Sequence, residues 1–405
     1  MPHNNKIDIV YLWVNGNDPV WRVKRRQAVE RLSAGKRGEI AAYGNVEGRF
    51  RDNDELRYSL RALQCFFPDH GHVYLVTDAQ TPIWLRRSER VTVIDHRDLI
   101  PAAALPTFDS GNIESYIHHI PNLSERYFYF NDDVFFGAPV KISDWFRDGD
   151  VRSVTGERQG DGVFTAWSDE PVVSDGPLRP DGLSLENACR MSKQWLGARG
   201  IGCVAAGTTG AAPAAAVRSQ DLGSEPYRHT FRTFAHSPRP MLRSLLYELE
   251  RQAPSMFERV RSTVFRIWDK PTIVSDFVLR WALAHGVAEI RDYRHLHIST
   301  GDSDMMKSTS HLLERLSTQF GALDFFCIND TTDDAPPDDT RLTRVRQHLQ
   351  TLLPFASSFE RSAVRPQLPL PAPIEALVQR KQVATLQDRA AAVVYALPGL
   401  ELQPD

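Results

Sequence analysis

Cysteine is scarce in this chain: Cys65, Cys189, Cys203 and Cys327 are the only four in 405 residues, and no two form a CxxC pair. That spacing excludes a zinc ribbon or a disulfide-stapled scaffold and fits free thiols of a reducing compartment. Long hydrophobic runs are also missing. No stretch approaches the roughly 18 apolar residues a membrane span needs, so no integral span is expected. The opening "MPHNNKIDIVYLWV" has only a short apolar run and no cleavage-type signal. Charge of one sign is absent too: 48 basic residues face 51 acidic ones, for a formal charge of -3. A polybasic nucleic-acid binder does not look like this, so no nucleic-acid partner is expected. No internal repeat is visible. A cytoplasmic chain follows, long enough for one large decorated domain or for two or three smaller ones.

What is present is an alternation of strand and helix patterns. "IDIVYLWV" (7–14) is a nearly continuous apolar run ending in "NGND", as a buried parallel strand would be. A charged, helix-compatible stretch runs from about Asp18 to Lys36. "RFRDNDELRYSLRALQCFF" then places Leu56, Leu60 and Leu63 on one face of a helix opened by Asp52 or Asp54. "HVYLVTD" (72–78) and "RVTVIDH" (90–96) read as strands, "NIESYIHHIPNL" as a short helix and "RYFYFNDDVFF" as a fourth strand. The expected fold is α/β: a Rossmann-like, mostly parallel sheet flanked by helices, with an insertion and a helical C-terminal part. The expected divisions are 1–149 and 226–361 as two halves of a catalytic domain. Residues 150–225, rich in Gly, Ser and Ala, would be an insertion or loop, and 362–405 a Pro-rich joint with a terminal helix.

Four places carry polar residues where strands should end, and in open α/β sheets ligands gather beyond the strands' carboxyl ends. Asp132 and Asp133 sit inside "YFYFNDDVFF", where every neighbour favours burial. Adjacent carboxylates repel and are costly to bury unpaired. An Asp-Asp pair at a strand end can hold a divalent cation against phosphate oxygens; a solvated strand end with an Asp cap is the plainer alternative. "WVNGNDPVW" offers Asn15, Gly16 and Asp18 in a turn that either admits a ligand or merely caps a helix. "RFRDNDELR" packs Arg49, Arg51 and Arg57 around Asp52, Asp54 and Glu55, which suits either phosphate binding or a helix surface of ion pairs. Glu114 and His118 stand four apart, with His119 beside them, so a carboxylate could orient an imidazole on one helical face.

"IDIVYLWVNGNDPVW", "RFRDNDELRYSLRAL", "LPTFDSGNIESYIHHIPNLSERYFYFNDDVFFG" and the later "FAHSPRPML" resemble, in order, four conserved blocks of the Stealth family. That family includes bacterial capsular polysaccharide phosphotransferases and the catalytic part of the animal N-acetylglucosamine-1-phosphotransferase. "DFFCINDTTDD…LLPFASSFE" (324–360) is similar to the family's C-terminal part. The resemblance implies transfer of a sugar 1-phosphate from a nucleotide sugar, usually a UDP-sugar, to an acceptor hydroxyl, with release of the nucleoside monophosphate. It implies that the essential residues are Glu114, Asp133, His236 in "FAHSPRP" and Arg266 in "VFRIWDK". Asp269 is the nearest match to an acid the family often has after that arginine, but Lys270 and Pro271 depart from the pattern.

On this reading Asp133, with Asp132, binds Mg2+ or Mn2+, and Arg266 neutralises the transferred phosphoryl group. Asn15, Gly16, Asp18, Arg49, Arg51, Asp54 and His118 lie near the donor. Either His236 takes the acceptor proton, or Glu114 does and His236 binds phosphate. The expected partners are a nucleotide-sugar donor and a polysaccharide acceptor, with the chain peripheral to a capsule-synthesis complex at the inner face of the membrane. A metal-dependent glycosyltransferase releasing UDP and a noncatalytic sugar-nucleotide-binding protein are the competing expectations.

Overall fold

The structure is a computed structural model that describes residues 6–152, 159–180, 184–202, 229–300, 306–333, 335–336 and 339–361. The expected Pro-rich joint and terminal helix of 362–405 lie outside the described residues, as does Cys203. Cys189 and Cys327 are free thiols. No helix among the described residues is long and apolar enough to cross a membrane.

Strands in chain order are β1 (Asp8–Leu12), β2 (Val73–Thr77), β3 (Val91–Asp95), β4 (Arg126–Asn131), β5 (Val134–Phe136), β6 (Phe146–Arg152), β7 (Gln159–Thr165), β8 (Arg239–Leu242), β9 (Ala288–Ile290), β10 (His295–Ser299) and β11 (Phe325–Asn329). The main sheet has the order β3-β2-β1-β4-β8. Its first four strands are parallel and β8 joins antiparallel to β4. The order 3-2-1-4 is that of a doubly wound sheet, and its direction reverses between β1 and β4, leaving a crevice at their carboxyl ends. A second sheet, β10-β11-β5, pairs β10 with β11 in parallel and β11 with β5 antiparallel. A third, β6-β7-β9, lies beside them.

Local chemistry explains the placements. All five residues of β1 are buried, as its β-branched and aromatic run requires. Helix Pro19–Arg31 starts where Asp18 accepts from the amides of Val20 and Trp21 at 2.8 and 2.9 Å, with Pro19 in the first turn. Helix Glu55–Phe66 buries Leu56, Leu60 and Leu63 as expected. The anticipated fourth strand is in fact two. β4 runs parallel to β1 and β5 runs antiparallel to β11, so the chain turns at Asp132–Asp133 and passes from one sheet to the other. "RPML", expected to be helical, is strand β8 before helix Arg243–Gln252, because it completes the edge of β4. The expected loop of 150–225 contains β7 and helix Ser184–Gly197. Ser192 of that helix donates to the buried Asp276 at 2.6 Å, which anchors it to the segment Ile273–Phe277.

Candidate active site

The carboxyl ends of β1 and β4 meet the end of β11 at one cleft. Gly16, just past β1, gives its amide to the Phe50 carbonyl at 2.6 Å, and any Cβ at this position would run into that carbonyl. A glycine is needed for this approach, which fixes the "NGND" turn against the "RFR" segment. Asn15 is held by Gln80 through both its amide and its carbonyl, at 2.9 and 3.0 Å.

One wall of the cleft is acidic. Asp52, Glu55, Asp132 and Asp133 repel one another in a largely dry setting, and all four hold their protons more tightly than ordinary carboxylates. Burial, then Asp133 and Glu55, raises Asp132 well above its usual value. Burial raises Asp133 to about 7, and burial with the nearby Asp52 raises Glu55 to about 8. Asp52 rises to about 6, again mainly by burial. Asn53 holds Glu55 through its backbone and side-chain nitrogens at 2.6 and 2.8 Å. Asp133 Oδ1 is buried with no hydrogen-bond partner.

The facing wall is basic. Arg49 and Arg266 both donate to the Ser110 hydroxyl, at 2.9 and 3.1 Å. The carboxylates of Asp109 and Glu114 offset part of the repulsion between these two guanidiniums. Arg49, dried out and pushed by Arg266, falls to about 9, and its Nε is buried without a partner. Behind them Lys270 pairs with Asp109 at 2.5 Å, both fully buried, and Thr263 donates to the same carboxylate at 2.7 Å. The lysine that departs from the expected pattern after Arg266 therefore anchors the loop. Asp269 instead faces outward to Arg259 at 2.5 Å.

A continuous polar chain crosses the floor. Tyr129 Oη lies 2.9 Å from Glu114 Oε1 and 2.5 Å from the Asn131 side chain. The same amide reaches His236 Nε2 at 2.5 Å, and His236 Nδ1 lies 3.3 Å from Cys327 Sγ. Cys327 Sγ is 3.5 Å from Asp133 Oδ2, and His236 Nε2 is 3.9 Å from Asp133 Oδ1. Glu114 is buried, and its Oε2 has no partner. Burial, then His297 and the neighbouring arginines, keeps His236 neutral far below the usual histidine range. Burial also lifts the Cys327 thiol well above its ordinary value.

Glu114, Asp133, His236 and Arg266 thus converge, with Arg49, Asp132, Asn15 and Gly16 around them. Other candidates are placed elsewhere. Asp18 is spent on capping its helix. Arg51 points to Asp330 at 2.5 Å and Thr332 at 2.7 Å, tying the segment to the end of β11. Asp54 takes a left-handed backbone, φ +69°, at the start of helix Glu55–Phe66 and makes no capping bond. His118 does not share a helical face with Glu114. The helix ends at Glu114, Ser115 turns back to the Asn112 carbonyl, and His118 lies in a separate turn, Ile117–His119. There it bonds Glu250 at 2.7 Å, beside His119 at 3.0 Å. Sequence reasoning gave no role to Ser110, Tyr129, Asn131 or Cys327. Asn131 and Cys327 stand in "FNDD" and "FFCIND", polar interruptions of buried strands of the kind that flagged the aspartates; Ser110 and Tyr129 gave no such signal.

The fold is a doubly wound α/β sheet, and the candidate residues gather at its switch point. Conserved regions 1, 2 and 4 of the Stealth proteins match residues 5–33, 49–154 and 321–371, and the chain belongs to the Stealth family. The second and third blocks read from the sequence fall within one region, 49–154. Region 4 lies at 321–371, so "FAHSPRPML" (234–242), taken above as the fourth block, is outside these three matches. Exopolysaccharide phosphotransferase SCO6023 of Streptomyces coelicolor is 34% identical over 358 residues, 88% of this chain and 52% of that protein. Exopolysaccharide phosphotransferase CpsY of Mycobacterium tuberculosis is 30% identical over 359 residues, 88% of this chain and 58% of that one. Capsular polysaccharide phosphotransferase LcbA of Neisseria meningitidis is 40% identical over 191 residues, 47% of this chain and 49% of its own. The chain spans about half the length of the curated relatives it matches. Among solved structures, the galactosyltransferase LgtC with donor and acceptor sugar analogs covers 88% of this chain and 98% of its own, at 8% identity and a TM-score of 0.37. That likeness is too slight to carry an argument about the site.

Proposed function

We propose that this chain transfers a hexose or N-acetylhexosamine 1-phosphate from a UDP-sugar to a hydroxyl of a capsular or exopolysaccharide acceptor, forming a phosphodiester and releasing UMP. The observation that carries the proposal is the pair of opposed walls: Arg49 and Arg266 sharing Ser110 face Asp132 and Asp133, with Glu114 and His236 between them. A cation bound between acidic and basic walls suits a diphosphate, and the names of the relatives agree with that chemistry.

The acidic wall fits a hard divalent cation. Its donors are oxygens, and Asp133 Oδ1 is buried and orphaned. Asp132 and Asp133 would hold Mg2+ or Mn2+, which would supply positive charge to the diphosphate oxygens. Arg266 and Arg49 bind the equatorial oxygens of the transferred phosphoryl group, where positive charge counts most in a dry cleft. Attack is on phosphorus, so the sugar-oxygen bond survives.

Occupancy supports Glu114 over His236 as the base. Both nitrogens of His236 have neighbours, Asn131 at 2.5 Å and Cys327 at 3.3 Å, whereas Glu114 Oε2 has a lone pair without a partner. Glu114 is therefore the candidate to take the acceptor proton, with Tyr129 donating to its Oε1, while His236 exchanges its Nε2 bond to Asn131 for one to phosphate when the donor binds. The peripheral, cytoplasmic setting beside a capsule-synthesis complex is part of the same proposal. The deciding experiment is a panel of UDP-sugars with purified protein and a polysaccharide acceptor, followed by phosphorus NMR. UMP and a new phosphodiester resonance are expected; UDP with no phosphodiester would make the chain a glycosyltransferase.

A further inference from the structure

The proposed reaction uses one nitrogen of His236 and gives no work to Cys327 or His297. Cys327 is buried on β11, His297 is exposed on β10, and His236 precedes β8. One ligand atom from each lies within 4.8 Å of the others, and the two imidazole rings are 6.3 Å apart between centres. Asp133 Oδ2 is 3.5 Å from the same sulfur. Three residues distant in sequence thus bring two imidazoles and a thiol together, with a carboxylate oxygen beside them.

The hydrogen-bond chain fixes which histidine nitrogen is available. Tyr129 has one hydroxyl proton and two neighbours, Glu114 Oε1 and the Asn131 amide. A carboxylate oxygen can only accept, so the proton goes to Glu114 and the tyrosine oxygen accepts from Asn131. The Asn131 nitrogen then faces Tyr129 and its oxygen faces His236, a half-turn of the amide that exchanges atoms of equal size. His236 consequently carries its proton on Nε2 and presents the Nδ1 lone pair to Cys327. An imidazole whose far N–H is fixed by an acceptor while its near nitrogen faces a thiol has the arrangement of a metal ligand.

We propose that His236 Nδ1, His297 and Cys327 Sγ, with Asp133 Oδ2 as the fourth donor, form a binding site for a thiophilic divalent cation of the zinc class, and that filling it shuts off transfer. Thiolate and imidazole donors select zinc over Mg2+. Binding replaces the thiol proton, which leaves to buffer, so a coordinated thiolate forms where burial otherwise disfavours one. It also takes Asp133 from the hard cation and locks His236. The regulatory half of this inference rests on the proposed transfer reaction; the binding half does not.

The test uses Co2+ as a spectroscopic stand-in and Zn2+ in competition, on the full chain without any sugar donor. One Co2+ per chain with a thiolate-to-cobalt charge-transfer band is expected, displaced by Zn2+. The band should vanish in Cys327→Ser, and Zn2+ affinity should fall roughly tenfold or more in His297→Gln. His297 is exposed and has no part in transfer, so this variant should fold, keep its metal-activated turnover and lose its inhibition by Zn2+. Co2+ bound with no sulfur band, or unchanged Zn2+ affinity in His297→Gln, overturns the site. Zn2+ bound at the site with turnover unaffected overturns the switch.

Discussion

Two kinds of buried charge cluster in this molecule contrast sharply. Behind the cleft, Arg280 and Asp276 are both fully buried and fully engaged: they pair at 2.8 Å, Ser192 donates to the carboxylate, and the guanidinium reaches the carbonyls of Thr230 and Arg232. Arg61 and Glu360 are similarly closed, with two guanidinium bonds of 2.7 and 2.9 Å and further donors from Arg57 and Ser357. In the cleft, by contrast, Asp133 Oδ1, Glu114 Oε2 and Arg49 Nε are buried and unpartnered. The closed clusters stabilise the fold, and the open one carries a cost in the free protein that a ligand would offset.

The contrast can be broken most directly by stripping divalent cations. EDTA should abolish transfer and Mg2+ or Mn2+ restore it; full turnover in chelator would remove Asp132 and Asp133 from their assigned role. Next in size, Glu114→Gln should lower kcat by roughly 10²–10⁴ with donor affinity retained. His236→Ala, under the same assay, should weaken phosphate binding more than Glu114→Gln does. Stability sharpens the comparison from the other side. Asp276→Asn leaves Arg280 without its counter-charge in the interior and should cost roughly 3–5 kcal/mol in denaturant unfolding. Asp133→Asn, in metal-free protein, should leave the midpoint unchanged or raise it, because burial already disfavours that charge. Equal destabilisation by the two would erase the distinction. The smallest effect is in acid. Although burial opposes it, Arg61, Ser357 and Arg57 hold Glu360 down at about 2, below the 4.5 of a free glutamate. A depressed carboxylate contributes stability above its unfolded value and loses it as pH falls through the folded one. Unfolding measured between pH 4.5 and 2 should therefore show a decline that is shallower in Glu360→Gln.

Much of the main sheet was legible because its strands are short apolar runs with polar ends. β1, β2 and β3 need no long-range information to be seen. β8 was not legible: "RPML" has no strand signature of its own and is recruited by the free edge of β4. The break between β4 and β5 was hidden for a related reason, since one aromatic run serves two sheets and only the partner strands reveal the turn. At the site, His236 and Arg266 came from resemblance alone, whereas Asp133 and Glu114 also stood out within their own segments, and the fold brings the four together. Arg51, Asp18 and His118 misled because an arginine in a charged segment, an aspartate before a helix and a histidine four residues from a glutamate look alike whether they bind a ligand or a neighbour. Only their partners, Asp330, the Val20 amide and Glu250, tell them apart.

The turn from β4 into β5 has a mechanical consequence. Asp132 and Asp133 are bolted at one end to a strand of the main sheet and at the other to β5, whose register is set by β11. Sliding β11 by even a fraction of a residue would shift both carboxylates relative to Arg49, whose segment is moored to β1 through Gly16. Repacking substitutions on the far side of β11, such as at Phe326 where it stacks on Phe135 at 4.7 Å, should thus register as altered catalysis without touching the cleft.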